Sequence, residues 1–174
     1  MPGDIAETGV WRGGAIAFIL GLFKALDIRD RKVWAADSFE GLPPPNLDRY
    51  PMDGDIAWHT YPDARVSLEQ VKGNLERYDL LSDQVVFLKG FFCDTLHQAS
   101  IEQLAVLRLD GDMYESTMDA LVSLYPKLSE GGFLIVDDYH LPACKQAIQE
   151  YRNQTGITSE LVNIDGDAVY WRVT

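Results

Sequence analysis

The chain has 174 residues, and at roughly 150 residues per domain it is predicted to form a single domain, residues 1–174. Hydrophobic residues make up 47% and charged residues 24% of the sequence, a balance that excludes a disordered chain. The formal net charge is −12. So acidic a surface repels phosphate backbones, and we therefore expect no nucleic-acid partner.

The sequence predicts a cytoplasmic location. Its first ten residues, MPGDIAETGV, have neither the basic region nor the apolar run of a secretory signal. The most apolar stretch, Ala15–Ile28, is interrupted by Lys24 and is shorter than the about 20 residues that cross a bilayer, so no membrane association is expected. Cys93 and Cys144 match no metal or redox spacing, which favours two reduced thiols over a disulfide.

Short runs rich in Val, Ile and Leu alternate along the chain with segments of helical periodicity. In chain order, strands are predicted at 4–8, 33–36, 85–88, 104–109, 133–136, 159–164 and 168–173, and helices at 13–26, 69–78, 114–128 and 142–155. Gly131-Gly132 is expected to close the helix at 114–128, and Asp165-Gly166-Asp167 to turn the chain between the last two strands. This pattern predicts an α/β fold: a mostly parallel seven-stranded sheet, covered on both faces, with a C-terminal antiparallel hairpin.

One segment, about residues 41–66, differs from the rest in composition. It holds five of the eight prolines: Pro43, Pro44, Pro45, Pro51 and Pro62. We expect no regular structure there. A loop of this length inside a compact domain is uncommon and is usually functional or disordered.

Two features at the ends of the first two strands favour a nucleoside-containing ligand. The sequence ETGVWRGG, residues 7–14, is a glycine-rich turn into a helix, where backbone can approach a ligand closely. It is neither a G-x-G-x-x-G fingerprint, because Trp11 interrupts it, nor a P-loop. Asp37 ends the second strand and could accept bonds from ribose hydroxyls. A plain strand-to-helix turn and a capping aspartate are the alternatives.

Acidic residues follow two later strands. Asp110-Gly111-Asp112 comes after LAVLRL, and Asp137-Asp138-Tyr139-His140 comes after FLIV. Since ligands bind at the carboxyl ends of parallel strands, these carboxylates are expected at the functional edge, where they repel one another unless a cation or protons intervene. Oxygen ligands suit Mg²⁺ or Ca²⁺, although the loop lacks the Gly and Glu of an EF-hand. Capping and solvation of helix starts is the alternative.

Taken together, ETGVWRGG, ADSFEGLP, RLDGDMYEST, YPKLSEGGFLIVDDY and YWR resemble the macrocin O-methyltransferase family over about residues 3–172. The resemblance implies a Rossmann-like class I methyltransferase fold. It also implies an enzyme that transfers a methyl group from S-adenosylmethionine, with Mg²⁺, to a hydroxyl of a sugar or other small natural product, possible acceptors including glycosides.

The resemblance assigns roles residue by residue. Cofactor-binding residues would be Glu7, Thr8, Gly9, Asp37, Ser38, Gly90 and Phe91; the ligands of Mg²⁺ would be Asp110, Asp137 and Asp138; the general base would be Asp112. His140 could share the proton transfer, and a satisfied, non-catalytic histidine is the alternative. The Pro-rich segment would be a lid on the acceptor side, with Tyr50, Trp58, His59 and Tyr61 either packing on the acceptor or anchoring the loop.

The chain departs from the family at its start. Family members carry helices before the first strand that help to form the acceptor pocket and a homodimer, whereas here Met1–Asp4 runs almost directly into the first predicted strand. A degenerate methyltransferase fold without turnover therefore remains an alternative. A haloacid dehalogenase-type phosphatase and a nicotinamide-dependent oxidoreductase are weaker ones. The first places its D-x-D motif earlier in the chain, and the second requires the glycine fingerprint.

Overall fold

A seven-stranded sheet with helices on both faces forms the centre of the protein. The structure is a computed structural model that describes residues 1–174. The strands are β1 (Asp4–Thr8), β2 (Val33–Asp37), β3 (Val85–Lys89), β4 (Leu104–Leu109), β5 (Leu128–Val136), β6 (Val162–Asn163) and β7 (Val169–Arg172). The α-helices are α1 (Gly14–Ala25), α2 (Leu68–Arg77), α3 (Phe92–Thr95), α4 (Tyr114–Leu124) and α5 (Pro142–Thr155).

The order of the strands across the sheet is β3-β2-β1-β4-β5-β7-β6. The first five are parallel, and β7 runs antiparallel to β5 and β6. This confirms the predicted α/β class, the mostly parallel sheet and the terminal hairpin. The chain runs outward from β1 through β2 to β3 and then crosses to β4 on the other side of β1. The carboxyl ends of β1 and β4 therefore flank the point at which strand order reverses, where ligands of open α/β sheets bind.

Alternating side chains divide the core between the two faces of the sheet. Trp34 and Ala36 belong to the larger buried cluster, which packs under α4 and α5. Val33 and Ala35 point the other way and pack with the apolar faces of α1 and α2. The continuous apolar runs of the sequence are thus explained by burial on both faces.

Two predicted boundaries were wrong. The helix predicted over 114–128 ends at Leu124, because Pro126 lacks the N–H that a continuing helix needs and the chain tightens into a 3-10 turn at Tyr125–Lys127. Gly131 and Gly132 therefore close no helix. They lie inside β5, where the register against β4 shifts, and a Cβ on Gly132 would come within 2.8 Å of the carbonyl oxygen of Ser129.

The Pro-rich segment and the C-terminal edge also differ from expectation. Instead of an irregular loop, residues 41–66 contain three short 3-10 helices, Pro51–Asp55, Trp58–Thr60 and Pro62–Ala64, two of which begin at a proline with its preset φ. The strand predicted at 159–164 is reduced to Val162–Asn163. None of the helices has both the length and the apolar character needed to cross a bilayer.

Candidate active site

The register of the sheet places the two acidic motifs side by side. The backbone N–H of Asp110 donates to the carbonyl of Thr8 at 2.9 Å, and the N–H of Asp137 donates to the carbonyl of Leu109 at 2.9 Å. Both aspartates therefore lie one step beyond their strands, at the same edge. With Asp138 they form a group whose candidate ligand atoms all lie within 4.8 Å of one another. The structure thus brings together the three carboxylates to which the family resemblance gives the role of Mg²⁺ ligands.

Arg108 lies at the centre of this group. Its Nη1 donates to Oε1 of Glu7 and to Oδ2 of Asp110, both at 2.6 Å, and its Nη2 lies 2.7 Å from Oδ1 of Asp137. The strand register explains the first contact, because Glu7 on β1 is the direct partner of Arg108 on β4. One guanidinium therefore links the end of β1 to the ends of β4 and β5.

Burial is the main electrostatic influence on these groups. It raises the pKa of Glu7, which is only 2% exposed, to about 8, although the Arg108 charge opposes the increase. Burial also raises the pKa of Asp110, again against Arg108. The pKa of Asp138 increases to about 8 through burial and then through the negative charges of Asp112 and Asp110. Burial alone would lower the pKa of Arg108, but its three carboxylate neighbours raise it, so Arg108 is a permanent cation.

The oxygens of the three aspartates are only half satisfied. Oδ2 of Asp110 accepts from Arg108, Oδ1 of Asp137 makes an ion-pair contact with Arg108 at 2.7 Å, and Oδ2 of Asp138 accepts from the backbone N–H of Asp112 at 2.9 Å. The other oxygen of each aspartate has no hydrogen-bond donor from the protein. Three buried or partly buried carboxylates, each with one candidate ligand oxygen within 4.8 Å of the others, form a donor set that suits a hard divalent cation such as Mg²⁺.

Asp112 occupies the turn between β4 and α4. Its φ of 59° lies in the left-handed region, which Asp tolerates better than most residues. Burial, followed by the negative charge of Asp110, raises the pKa of Asp112 to about 6. The nearby imidazole of His140 has the opposite, lowering effect on this pKa. The His140 side chain itself is exposed, and its backbone N–H donates to Asp167.

A cavity of about 540 Å³ opens beside the carboxylates, within the size range of small-molecule sites. Six of the predicted site residues line it: Gly9, Asp37, Ser38, Phe91, Asp110 and Asp112. The other six lie outside its lining: Glu7, Thr8, Gly90, Asp137, Asp138 and His140. Asp110 and Asp112 therefore belong both to the cavity and to the acidic edge.

The wall of the cavity on the β1–β2 side is formed by the glycine-rich turn and Asp37. A Cβ on Gly9 would lie 1.6 Å from the carbonyl oxygen of Asp110, so only glycine lets this turn pack against the end of β4. Asp37 accepts through Oδ2 from the backbone N–H groups of Val10 and Trp11, at 2.7 and 3.2 Å, and through Oδ1 from Phe39 at 2.7 Å. Asp37 thus stabilises the turn as well as facing the cavity.

The Pro-rich segment forms the opposite wall and is also anchored. The exposed side chains of Trp58 and Tyr61 line the cavity, with ring centroids 5.4 Å apart. Tyr50 instead packs on Tyr114, with centroids 5.5 Å apart. Asp53 is fully buried, and its two oxygens accept from the backbone N–H groups of Tyr114 and Glu115, at 2.6 and 3.2 Å. It therefore caps α4 from within the segment.

Several site residues were not identified from the sequence. One feature of the sequence does distinguish Arg108: it is the single charged residue in the otherwise apolar run LAVLRL. Trp11 was treated only as an interruption of a fingerprint, yet it lines the cavity and its Nε1 donates to the carbonyl of Asp63 at 2.9 Å. Glu115 and Asp119 line the cavity from α4 and had no pattern to distinguish them from an exposed helical face.

The strand order and the ligand edge define a Rossmann-like class I methyltransferase fold. A solved structure of the O-methyltransferase NovP shares it, with a TM-score of 0.97 and 54% sequence identity, over 99% of this chain and 72% of that one. The family model described as macrocin O-methyltransferase (TylF) matches residues 1–173. The chain belongs to the macrocin O-methyltransferase family.

Curated relatives agree with this assignment. The chain is 54% identical to mycinamicin III 3''-O-methyltransferase of Micromonospora griseorubida, over 99% of this chain and 69% of the relative. It is 53% identical to demethyldecarbamoylnovobiocin O-methyltransferase of Streptomyces niveus, over 100% of this chain and 67% of the relative. The family resemblance noted in the sequence is thereby confirmed.

Proposed function

We propose that the protein transfers a methyl group from S-adenosylmethionine to a hydroxyl group of a small glycosylated natural product, with Mg²⁺ bound at the acidic edge. The observation that carries the proposal is the double placement of Asp110 and Asp112, which line the cavity and also adjoin the half-satisfied carboxylates of β5. A methyl donor in the cavity and an acceptor hydroxyl at the edge would therefore meet at these two residues. The names of the relatives, which describe O-methyltransferases of glycosylated compounds, support the acceptor class.

The charge of the cavity favours a cationic donor. Six carboxylates line it and no Lys, Arg or His side chain does; the carboxylates are Asp37, Asp63, Asp110, Asp112, Glu115 and Asp119. A sulfonium ion is attracted to such a wall, whereas a phosphate-bearing dinucleotide would be repelled by it. We assign Gly9, Asp37, Ser38 and Phe91 to the donor side, as the cavity residues that follow β1, β2 and β3.

Within this proposal the chain's own residues orient the acceptor and receive its proton. When bound, Mg²⁺ would lower the pKa of the acceptor hydroxyl and S-adenosylmethionine would supply the methyl group. Asp112 takes the hydroxyl proton as the new O–CH₃ bond forms and the S–CH₃ bond breaks. Its pKa of about 6 leaves it ionised and able to accept a proton near neutral pH. Trp58 and Tyr61 form the acceptor-side wall, with the segment 41–66 as its lid.

Binding and turnover test the proposal in two stages. Isothermal titration calorimetry with S-adenosylmethionine and S-adenosylhomocysteine, on protein shown to be folded by circular dichroism, is expected to give 1:1 binding of both. Incubation with a panel of glycosides and Mg²⁺, followed by mass spectrometry, is expected to give a singly methylated product. Absence of binding would overturn the methyltransferase assignment. Binding without any methylated product across the panel would favour a degenerate fold that binds the cofactor without turnover.

A further inference from the structure

Arg108 has no assigned role in methyl transfer, yet three of the carboxylates at the site depend on it. We propose that Arg108 is a positioning residue: its guanidinium holds Asp110 and Asp137 so that their spare oxygens face the position of the divalent cation. This inference rests on the proposed function, because it concerns the cation site assumed there. It adds a residue from within β4 to a site otherwise built from residues beyond the strand ends.

The geometry of the guanidinium supports this role. Nη1 and Nη2 lie 2.6 and 2.7 Å from one oxygen each of Asp110 and Asp137. The two nitrogens are fixed in one rigid plane, so the hydrogen bond to Asp110 and the ion pair with Asp137 together restrain the distance between the two carboxylates. The remaining oxygens, Oδ1 of Asp110 and Oδ2 of Asp137, are left without a protein donor. A lysine ammonium could neutralise the same charges but could not fix two carboxylates in one plane.

Glu7 in turn fixes Arg108. The glutamate is 2% exposed, and its Oε1 accepts from Nη1 at 2.6 Å. Because Glu7 and Arg108 are directly paired in the register of β1 and β4, the guanidinium cannot shift along the strand without breaking this contact. The backbone pairing of β1 and β4 therefore fixes Glu7, Glu7 holds the Arg108 guanidinium, and Arg108 in turn contacts the two aspartates.

The sign of the effect separates positioning from simple electrostatics. A positive charge beside a cation site opposes cation binding, so loss of the Arg108 charge alone would strengthen metal binding. Loss of positioning would weaken it, because the aspartates would be free to rotate and repel one another. Residues that orient metal ligands from outside the first coordination shell typically change metal affinity by about 10- to 100-fold when they are mutated.

A purely structural role for Arg108 is the main competitor. In that case Arg108 only provides the buried Glu7 with a hydrogen-bond donor, and replacement of both side chains together would leave metal binding intact. The double variant E7Q/R108M tests this directly. It leaves no buried glutamate without its Arg108 partner, and it is therefore also the variant best suited to fold if Arg108→Met alone does not.

The experiment measures Mn²⁺ binding by electron paramagnetic resonance, on wild type, R108K, R108M and E7Q/R108M, each checked for folding by circular dichroism. Arg29→Met is the control, since the Arg29 side chain is 85% exposed. Arg29 precedes β2 and so lies at the amino ends of the parallel strands, away from the acidic residues at their carboxyl ends. We expect about 10-fold or weaker Mn²⁺ binding in all three Arg108 variants and unchanged binding in the control.

Three results would contradict the inference, and they are distinguishable. Unchanged or tighter Mn²⁺ binding in R108M and R108K would overturn it. Weak binding in R108M that returns to wild-type affinity in E7Q/R108M would assign Arg108 the structural role of satisfying the buried Glu7 instead. Absence of Mn²⁺ binding in folded wild type would overturn the metal part of the proposed function itself, while leaving binding of S-adenosylmethionine as a separate measurement.

Discussion

Two groups of aspartates in this protein lie at or near the ends of helices and strands but differ in how many hydrogen bonds their carboxylate oxygens accept. Asp37 and Asp53 use both carboxylate oxygens to accept backbone N–H groups, Asp37 from the glycine-rich turn and Asp53 from the start of α4. Asp110 and Asp138 each accept one side-chain hydrogen bond and Asp137 makes only an ion pair with Arg108, so each has an oxygen without a donor. The first pair holds the walls of the cavity in place, and the second group is open to a ligand.

The difference lies in what is nearby, since all five are the same residue type at or near element ends. Backbone N–H groups at a turn or a helix start are fixed donors, and a carboxylate that reaches them has no need of a ligand. The carboxyl ends of β4 and β5 offer few such donors, so one guanidinium must serve two aspartates. An acidic residue at a strand end is therefore a candidate metal ligand only when it has more carboxylate oxygens than there are hydrogen-bond donors within reach.

The largest effect is expected at Asp112, which adjoins the open group. Asp112→Asn removes the proton acceptor but suits the left-handed backbone, because Asn tolerates a φ of 59° as Asp does. We expect the rate of methyl transfer to decrease by about 10²- to 10⁴-fold, with no loss of thermal stability, measured by product formation and by thermal unfolding. His140→Gln is the matched comparison. A larger loss of rate in His140→Gln than in Asp112→Asn would transfer the role of base to His140.

A smaller effect is expected from one member of each group. Asp137→Asn should weaken Mg²⁺ dependence by about 10-fold or more and leave the affinity for S-adenosylmethionine within a few-fold. Asp37→Asn should do the reverse, because Asp37 faces the cavity and supports the turn. Metal titrations of activity and calorimetry with the cofactor measure the two quantities. If Asp137→Asn abolishes cofactor binding and keeps the metal response, the division between the two groups is wrong.

A substitution of Asp53 tests whether the aspartates that accept backbone N–H groups with both oxygens stabilise the fold. Asp53→Ala leaves two buried N–H groups at the start of α4 without an acceptor, and we expect a loss of about 1–2 kcal/mol in the free energy of unfolding. Urea denaturation measures this loss. Asp48→Ala is the control, since Asp48 is exposed and has no hydrogen bond. An equal, small effect in both variants would show that the cap contributes nothing to stability.

The smallest effect concerns pH. Burial, and then the charge of Glu115, raises the pKa of Asp119 to about 6, from about 4 in an unfolded chain. Between these values the native state binds more protons than the unfolded state, so stability is lost as the pH rises through the window from about 4 to 6. Asp119→Asn removes this loss. After allowance for solvent screening we expect roughly 1 kcal/mol, or about 2–4 °C in Tm, near pH 7.5 and no gain below about pH 4. A gain that is equal at both pH values would exclude titration as its cause.

Much of the fold followed from local pattern. All seven strands and four of the five α-helices were predicted near their observed positions, because apolar runs buried on both faces and helical periodicity are local signals. The acidic edge was predicted for the same reason, since Asp110 and Asp137 each follow a recognisable strand. The short helix α3 has no periodic signal. The end of α4 at Leu124 is set by Pro126, whereas the prediction placed it at the glycines further along the chain.

The unpredicted part of the site depends on contacts between distant segments. Arg108 could be noticed in LAVLRL, but its three partners depend on a register that no single strand encodes. Asp53 was unremarkable within a Pro-rich stretch until the fold placed it at the start of α4. Whether Asp37 binds a ligand, supports a turn, or does both depends on where the N–H groups of Val10 and Trp11 lie.

The cap that Asp53 provides divides the segment 41–66 into two arms. Because residue 53 is held at the start of α4 and Ile56 packs beside it against α4 and α5, the middle of the segment moves only with those helices. The residues that line the cavity lie on both sides of this fixed point: Gly41, Leu42 and Pro43 in the first arm, and Trp58, Tyr61, Asp63 and Ala64 in the second. This wall of the cavity therefore consists of two short stretches of chain that are joined through one point fixed to α4, and each stretch has its own anchor, Ser38 for the first and Trp11 for the second.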